Sequence, residues 1–388
     1  MQRREFLQRV GQGALAGVAT TVTPWAWAGS VPAKTLVLIE LKGGNDGLNT
    51  LVPYTDSTYY RLRPRLAIPR DRQLQLTDRF GLHPALEPLM PGWKRGEMAV
   101  VHGLGYPQPN RSHFRSIEIW ESGSGSEEII NTGWLSPLLS GYQSAAPADA
   151  VVLGSGSGPV AGAGVRTIHV ARPGLLKQLS KLPKRRATDY ASPALAHVLE
   201  VEEQGRQAAL QLRRKLKRAP AMQQGFPQDQ FGKSMQMTAS VIAAGLDIPL
   251  IKLELNGFDT HTQQAGTHQR LLQQLAKSVA ALRASLIKQG AWDRTLIMTY
   301  SEFGRRVAEN GNGGTDHGTA APHFLWGGKV RGGLYGETPS LGSLDKGDLR
   351  HTTDYRSLYQ TVARDWFGSA DYKLPGGRFE HINCLKKA

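Results

Sequence analysis

The sequence is poor in cysteine: its 388 residues include a single one, Cys384. A framework of disulfide bonds within the chain is therefore impossible, and so is a zinc site built from several thiolates. For one thiol near the C-terminus, the simplest expectation is a position on the surface. Long apolar runs are also absent after the N-terminal segment, which predicts that the main body of the chain has no membrane-spanning helix.

Acidic residues are outnumbered, since 47 lysines and arginines face 32 aspartates and glutamates, a formal net charge of +15. Nucleic acid is the first partner to consider for so basic a chain. No nucleic-acid-binding motif accompanies the charge, and the N-terminal export signal described next argues against that partner. An anionic small molecule or polymer fits better as a ligand, and a merely solvated basic surface is the alternative.

The first 28 residues contain the three parts of a twin-arginine export signal in the right order. The pair Arg3-Arg4 is followed by a weakly apolar stretch from Val10 to Val22 and then by Ala26-Trp27-Ala28, a cleavage pattern of the A-x-A type. We expect residues 1–28 to be removed and the mature protein, with a net charge of about +13, to be periplasmic or secreted. The alternative is an amphipathic helix with a chance arginine pair.

Strand-like and helix-like segments alternate along the rest of the chain, which predicts an α/β fold. We expect one domain over residues 34–370 with three layers, α/β/α, and a mostly parallel central sheet. The charged segment 192–218 should be a peripheral helix, and residues 371–388 a C-terminal tail. Continuous apolar runs predict three buried strands, side by side in the sheet, at residues 35–41, 249–255 and 294–300.

Short polar motifs follow the predicted strands. Parallel strands bring their carboxyl ends to one edge of a sheet, so residues that are far apart in sequence can meet there. Carboxylates and histidines on glycine-containing turns are ligands suited to a hard or borderline divalent cation. The candidate metal ligands are Asp46, Asp259, His261, Glu302, Asp316, His317 and, in reserve, His323. The plainer alternative for each is a role in a turn, a helix cap or packing.

Five sequence blocks carry a resemblance to a known family. In chain order they are Gly43–Thr50, Arg111–Phe114, Gly257–His261, Ser301–Arg305 and Gly314–Gly318. On these blocks, nearly the whole mature chain resembles the exported domain of unknown function 1501 family, which looks related to the alkaline phosphatase and sulfatase superfamily. The resemblance implies an alkaline-phosphatase-like fold and one or two divalent metal ions, which could be zinc, manganese, calcium or magnesium.

The resemblance also implies roles for the second block. In the superfamily the start of a helix presents the nucleophile, and Ser112 matches that element. It would attack a phosphate or sulfate ester, while backbone N–H groups at the helix start hold the anionic group. His113 would orient the anion or act as acid or base, with Arg111 or Arg305 as a charge clamp. Thr50 is a second candidate nucleophile, and the alternative for Ser112 is a simple helix cap.

Two departures from the superfamily pattern keep another class of function open. The spacing from Asp259 to His261 is shorter than usual, and Phe303 stands where the hydrolases commonly have a metal-binding histidine. Asp316 and His317 would then replace the missing ligand. The alternative function is a non-catalytic envelope-binding or assembly protein on a degenerate hydrolase scaffold. Its exported partner could belong to the domain of unknown function 1800 family, whose members are thought to be encoded nearby.

Overall fold

The computed structural model describes residues 34–141, 146–170, 193–218 and 225–387. The described residues belong to one compact unit. The predicted export signal, residues 1–28, lies outside them and stays a prediction. None of the described helices combines the length and the apolarity that crossing a membrane requires.

The described residues contain fourteen strands, nine of which form one sheet. The strands are β1 (Thr35–Lys42), β2 (Leu51–Val52), β3 (Leu74–Gln75), β4 (Gly81–Leu82), β5 (Met98–Gly105), β6 (Ala150–Leu153), β7 (Thr167–His169), β8 (Leu250–Asn256), β9 (Thr295–Tyr300), β10 (Ala321–Trp326), β11 (Gly333–Tyr335), β12 (Leu344–Asp345), β13 (Asp348–Leu349) and β14 (Thr353–Asp354). The order in the main sheet is β11-β5-β10-β9-β1-β8-β6-β7, with β14 beside β5.

Helices occupy the intervening segments. The α-helices are α1 (Gly47–Thr50), α2 (Ser57–Leu62), α3 (Met90–Lys94), α4 (His113–Ser122), α5 (Ser136–Ser140), α6 (Pro193–Arg218), α7 (Gln230–Ala243), α8 (Gln264–Lys288) and α9 (Tyr355–Thr361). Shorter 3₁₀ helices span Pro84–Leu89, Gly158–Val160 and Trp292–Arg294, and a π-helical turn spans Val362–Trp366. Helix α6 includes nearly all of the charged segment 192–218 and packs Ala209 and Leu212 into the core.

The centre of the sheet matches the sequence prediction. Strand β1 lies between β8 and β9 and is parallel to both, with Val37 paired to Ile251 on one side and to Ile297 on the other. A mostly parallel sheet is thereby confirmed, although the sheet is mixed because β10 runs antiparallel between β9 and β5. The carboxyl ends of β1, β8 and β9 consequently meet at one edge.

Alternate side chains of β1 enter two different cores, because successive residues of a strand point to opposite faces. Val37 and Ile39 pack with α7 and α8, whereas Leu36 and Leu38 pack with α4 and α9. The sheet is thus covered by helices on both faces, which is the predicted three-layer α/β/α arrangement.

The expectation that Cys384 lies on the surface is wrong. Its side chain is fully buried, and burial raises the pKa of the thiol to about 12. The reason is that the C-terminal segment folds back on the body of the protein: Leu385 forms a β-bridge with Val330, and the carbonyl of Cys384 accepts a hydrogen bond from Arg331. Cys384 and Leu385 belong to the core beneath α4 and α9.

Candidate metal centre

Three histidines and one aspartate, drawn from distant parts of the chain, meet at the edge where β1, β8 and β9 end. His113 is the first residue of α4, Asp259 and His261 follow β8, and His317 lies in the loop between β9 and β10. We call these four residues the histidine cluster. Sequence analysis had named Asp259, His261 and His317 as ligands, and His113 as an acid or base.

The cluster is centred on the carboxylate of Asp259. Its Oδ1 lies 3.1 Å from Nε2 of His261 and 3.1 Å from Nε2 of His317, and its Oδ2 lies 3.4 Å from Nε2 of His113. The Nε2 atoms of His261 and His317 are 3.0 Å apart. All three rings therefore present Nε2 to the carboxylate of Asp259.

The other nitrogen of each ring is occupied by an oxygen that can only accept a hydrogen bond. These contacts are His113 Nδ1 to Glu302 Oε1 at 2.7 Å, His261 Nδ1 to Asp316 Oδ1 at 3.2 Å, and His317 Nδ1 to the carbonyl oxygen of Arg111 at 2.9 Å. Each Nδ1 is therefore the donor, and in the neutral ring Nε2 carries a lone pair. Metal-binding histidines are held by such outer contacts.

The geometry fits a bound cation. Tetrahedral ligands at about 2.0–2.1 Å from zinc lie about 3.3 Å from one another, close to the 3.0 Å between His261 and His317 and to the 3.1–3.4 Å contacts of Asp259 with the three rings. Two lone pairs 3.0 Å apart, on His261 and His317, also repel unless a positive charge lies between them. Nε2 of His113 is buried and has no hydrogen-bond partner. Nitrogen-rich donor sets suit zinc and similar transition metals better than calcium or magnesium.

The surroundings shift the pKa values of the cluster residues in different directions. The hydrogen bond from His113 to Glu302 raises the pKa of His113, against the opposing effect of burial. Burial lowers the pKa of His317. Burial alone would raise the pKa of Asp259, but its contacts with Arg305 and His317 hold it at about 2. The carboxylate is therefore ionised at neutral pH and ready to balance a cation.

Arg305 fastens the loops that carry the cluster. Its guanidinium is buried and donates to Asp259 Oδ1 at 2.7 Å, to the carbonyl of Gly44 at 2.8 Å and to that of Thr315 at 2.9 Å. Gly43 lets the turn after β1 lie close to the turn after β8. Its φ is 116°, and a Cβ there would lie 2.3 Å from the backbone nitrogen of Asp259. Arg305 thus positions the site rather than clamping a ligand from solvent.

Glu302 and Asp316, both predicted as ligands, lie behind the histidines instead. Oε1 of Glu302 accepts from His113 and, at 2.9 Å, from the backbone N–H of Gly43. Its Oε2 accepts from Ser301 at 3.1 Å. Asp316 holds His261, as described, and remains half exposed. Both carboxylates orient a histidine ring through its Nδ1.

Asp46, the predicted ligand after β1, lies in a separate buried network. Arg63 donates to its Oδ2 at 2.6 Å, and the amide of Gln264 donates to the same oxygen. The carbonyl oxygen of Gln264 accepts in turn from Thr315 at 2.6 Å and from Thr260 at 3.0 Å. We call this the Asp46 network. Through Thr260 and Thr315 it supports the loops that carry Asp259 and His317. Sequence analysis did not predict a role for Arg63 or Gln264, because no motif marks their contacts with Asp46.

The reserve ligand His323 is not brought to the cluster either. It lies on β10, fully buried, with its ring 5.2 Å from that of Trp120, and burial lowers its pKa to about 3. Thr50, the second candidate nucleophile, is buried, and its hydroxyl donates to the carbonyl of Asp46 at 2.7 Å. Neither side chain is placed to meet a substrate from solvent.

The second sequence block forms the rim of the cluster. Ser112 is the exposed N-cap residue of α4, and its side chain makes no capping hydrogen bond. The side chain of Arg111 pairs with Asp348 at 2.9 Å. The ring of Phe303 packs against the rings of His113 and His317, with centroids 4.9 Å and 4.6 Å away. One wall of the cluster is thus aromatic.

A family model described as "Protein of unknown function (DUF1501)" matches residues 33–371. The chain belongs to this family. The family match covers all the described elements that build the cluster, and it agrees with the resemblance that the five sequence blocks carry. No curated protein matches the chain.

Among solved structures, similar chains include Ps i-CgsB in complex with k-i-k-neocarrahexaose, with 13% identity, a TM-score of 0.42, and coverage of 87% of this chain and 72% of the other. The PsFucS1 sulfatase from Pseudoalteromonas sp. has 12% identity, a TM-score of 0.38, and coverages of 90% and 71%. A protein in the alkaline phosphatase superfamily from Vibrio parahaemolyticus has 9% identity and a TM-score of 0.36, and the match covers 85% of this chain and 65% of the other. Similarities of this size carry no argument about chemistry.

Proposed function

We propose that the protein is an exported hydrolase of phosphate or sulfate esters that depends on one divalent metal ion bound by the histidine cluster. The observation that carries this proposal is the convergence of three Nε2 atoms on Asp259, with every Nδ1 already bound to an acceptor. Zinc is the ion that best suits this donor set. Periplasmic or secreted localisation rests on the twin-arginine signal.

One ion fits better than two. Within the described part of the chain, His113, Asp259 and His317 are the group close enough to share a metal, and His261 adjoins two of them. A second ion would need donors where Phe303 offers only an aromatic ring. Glu302 is already engaged with three hydrogen-bond donors.

Ser112 is the side chain best placed to act as nucleophile. It is exposed at the start of a ten-residue helix, beside His113, and its hydroxyl is not used for capping. N–H groups in the first turn of α4 would hold the anionic oxygens of the ester. A bound metal would supply Lewis-acid polarisation of the ester. Arg305 keeps Asp259 ionised and oriented toward the cluster.

The second candidate function is a non-catalytic binding or assembly protein, and Phe303 is the observation that favours it. An aromatic wall over His113 and His317 narrows the space beside the cluster. A metal could then be structural, and the partner could be an exported protein of the domain of unknown function 1800 family.

The deciding experiment uses protein exported by its own host, with its metal content determined before assay. Wild type, Ser112→Ala and the control Ser57→Ala, another exposed serine at a helix start, are tested on a panel of phosphate and sulfate esters. We expect hydrolysis by wild type and by the control, and none by Ser112→Ala at unchanged metal content. Metal-loaded wild type that hydrolyses no ester would favour the binding protein.

A further inference from the structure

A pocket of 540 Å³ adjoins the histidine cluster. Two of its lining residues touch the cluster directly. Phe303 packs against the rings of His113 and His317, and the carbonyl of Arg111 accepts the hydrogen bond from His317. Its volume lies within the range of roughly 300–1,000 Å³ that small-molecule sites occupy. A ligand in it would therefore lie beside the cluster, next to Phe303 and Arg111.

A strained turn forms part of the wall of this pocket, which we call the hairpin pocket. Strands β12 and β13 are joined by Lys346 and Gly347, whose φ angles are 50° and 88°. Two-residue turns with positive φ at both central positions favour Asn-Gly, since most side chains are strained there. Lys346 nevertheless occupies the first position and lines the pocket. Strained residues of this kind concentrate at ligand sites.

Some of the charged side chains at the pocket form ion pairs, and others do not. Arg111 pairs with Asp348, and Arg306 lies 3.6 Å from the other oxygen of the same carboxylate. Within the described residues, Lys346 and Arg350 form no ion pair, although both are exposed on the wall. The pocket therefore offers two cations whose charge is not balanced by a bound carboxylate.

Hydrogen-bonding groups lie beside these cations. Asp345 is exposed on the wall, makes no ion pair among the described residues, and can accept from a hydroxyl group. Asn110 also lines the pocket, as does the largely buried ring of Phe303. Cations and a free acceptor together suit a ligand that bears hydroxyl groups and a negative charge.

We propose that the hairpin pocket holds the alcohol part of the substrate and selects a hydroxyl-bearing group with a second negative charge, separate from the ester. Lys346 and Arg350 bind that charge, and Asp345 accepts from the hydroxyl groups. This inference rests on the proposed ester hydrolysis, in which the alcohol part must lie next to the reacting group at the cluster.

Binding of glucuronate and of glucose to the metal-loaded protein, measured by calorimetry, tests the pocket without any need for turnover. Glucuronate should bind more tightly than glucose, and raised salt should remove much of the difference. Lys346→Asn and Arg350→Gln should each weaken glucuronate binding about fivefold, whereas Lys277→Gln on α8 should not change it. Lys346→Asn should fold at least as well as wild type, because asparagine tolerates positive φ better than lysine.

Asp259→Asn separates this proposal from the metal site. It should lose metal and keep glucuronate binding, while Lys346→Asn should keep metal and lose part of that binding. Equal affinity for glucose and glucuronate would overturn the pocket proposal. So would glucuronate binding that is lost in Asp259→Asn but unchanged in Lys346→Asn, since the carboxylate would then be bound by the metal. If glucuronate binds as expected but the protein hydrolyses no ester, the result would instead contradict the proposed reaction.

Discussion

Asp46 and Asp259 have nearly the same place in the fold and opposite surroundings. Each follows the carboxyl end of a central strand, β1 or β8, on a short turn that contains glycine. Asp46 is 1% exposed and is held by the guanidinium of Arg63, whereas the side chain of Asp259 is 47% exposed and faces three histidine nitrogens. The charge of Asp46 is compensated within the protein, whereas Asp259 lies beside nitrogen lone pairs that a cation would stabilise.

The comparison shows that a strand-end aspartate is not in itself a metal ligand; its partners decide its role. A carboxylate paired with a buried arginine already has its charge compensated, and a metal ion would have to displace that arginine. Asp259 also has an arginine, Arg305, but only on Oδ1, and its Oδ2 remains free to face His113. The Asp46 network is therefore a support, and the histidine cluster is the candidate site.

The largest expected effect comes from breaking the support. Asp46→Ala should lower the free energy of unfolding by about 3–5 kcal/mol, because it leaves the buried guanidinium of Arg63 without a counter-charge. Urea unfolding of the metal-free proteins measures the difference. Asp371→Ala, at an exposed carboxylate with a long contact to Arg378, is the matched control and should change stability by less than about 0.5 kcal/mol. Unchanged stability with lost metal would instead make Asp46 a ligand.

Removing the cluster carboxylate should act through the metal. Asp259→Ala should destabilise the metal-free protein less than Asp46→Ala, because the buried guanidinium of Arg305 loses its carboxylate partner but keeps its hydrogen bonds to the carbonyls of Gly44 and Thr315. The stabilisation that zinc gives the wild type, about 2.7 kcal/mol at a free concentration 100 times the Kd, should be absent. Thermal melting with and without added zinc measures this. An equal zinc-induced shift in wild type and variant would exclude Asp259 as a ligand.

A smaller effect is expected behind the cluster. Glu302→Gln keeps the shape of the side chain but weakens the contact that orients His113, so metal affinity should fall roughly 10- to 100-fold without loss of the fold. Competition with a chelator of known affinity measures the change. Glu309→Gln is a control, since that carboxylate accepts from Arg65 and Leu66 and not from a histidine of the cluster. An equal loss of metal affinity in both variants would show that Glu302 has no specific role in orienting His113.

The smallest effect concerns acid. Burial would raise the pKa of Asp46, but Arg63 outweighs it and lowers the pKa below the ordinary value of 3.8. The folded state thus favours the ionised carboxylate, so this contribution is present above about pH 4 and is lost as the pH falls through the folded pKa. Below pH 4, wild type should lose stability more steeply than Asp46→Asn, by urea unfolding at each pH. Parallel profiles would show that Asp46 is not paired in the folded state.

Sequence alone was sufficient for the elements whose signal is local. The three central strands follow from continuous apolar runs, and the order β8-β1-β9 agrees with the prediction. Asp259, His261 and His317 were named because polar residues at strand ends can converge, and the structure brings them together. The burial of Cys384 could not be foreseen, because it depends on where the C-terminal segment packs.

Roles that depend on side-chain direction could not be predicted. Nothing in the sequence shows that Arg63 reaches Asp46, or that Glu302 turns toward Nδ1 of His113 instead of toward a metal. Both contacts join residues from separate loops, and their geometry follows from the packing of those loops around Arg305. A motif fixes which residue types are present, whereas tertiary packing decides which of them face the cluster.

X-ray absorption spectroscopy at the metal edge, on protein purified from its own host and analysed for metal content, would identify the atoms bound to the metal ion. We expect one metal per chain, with imidazole nitrogens and one carboxylate oxygen at about 2.0–2.2 Å and no second metal nearby. In His317→Ala one nitrogen ligand should be lost, and in Arg63→Ala the surviving folded protein should keep the wild-type spectrum. Metal-free protein, or a spectrum with only oxygen ligands, would show that the histidine cluster does not bind a metal ion.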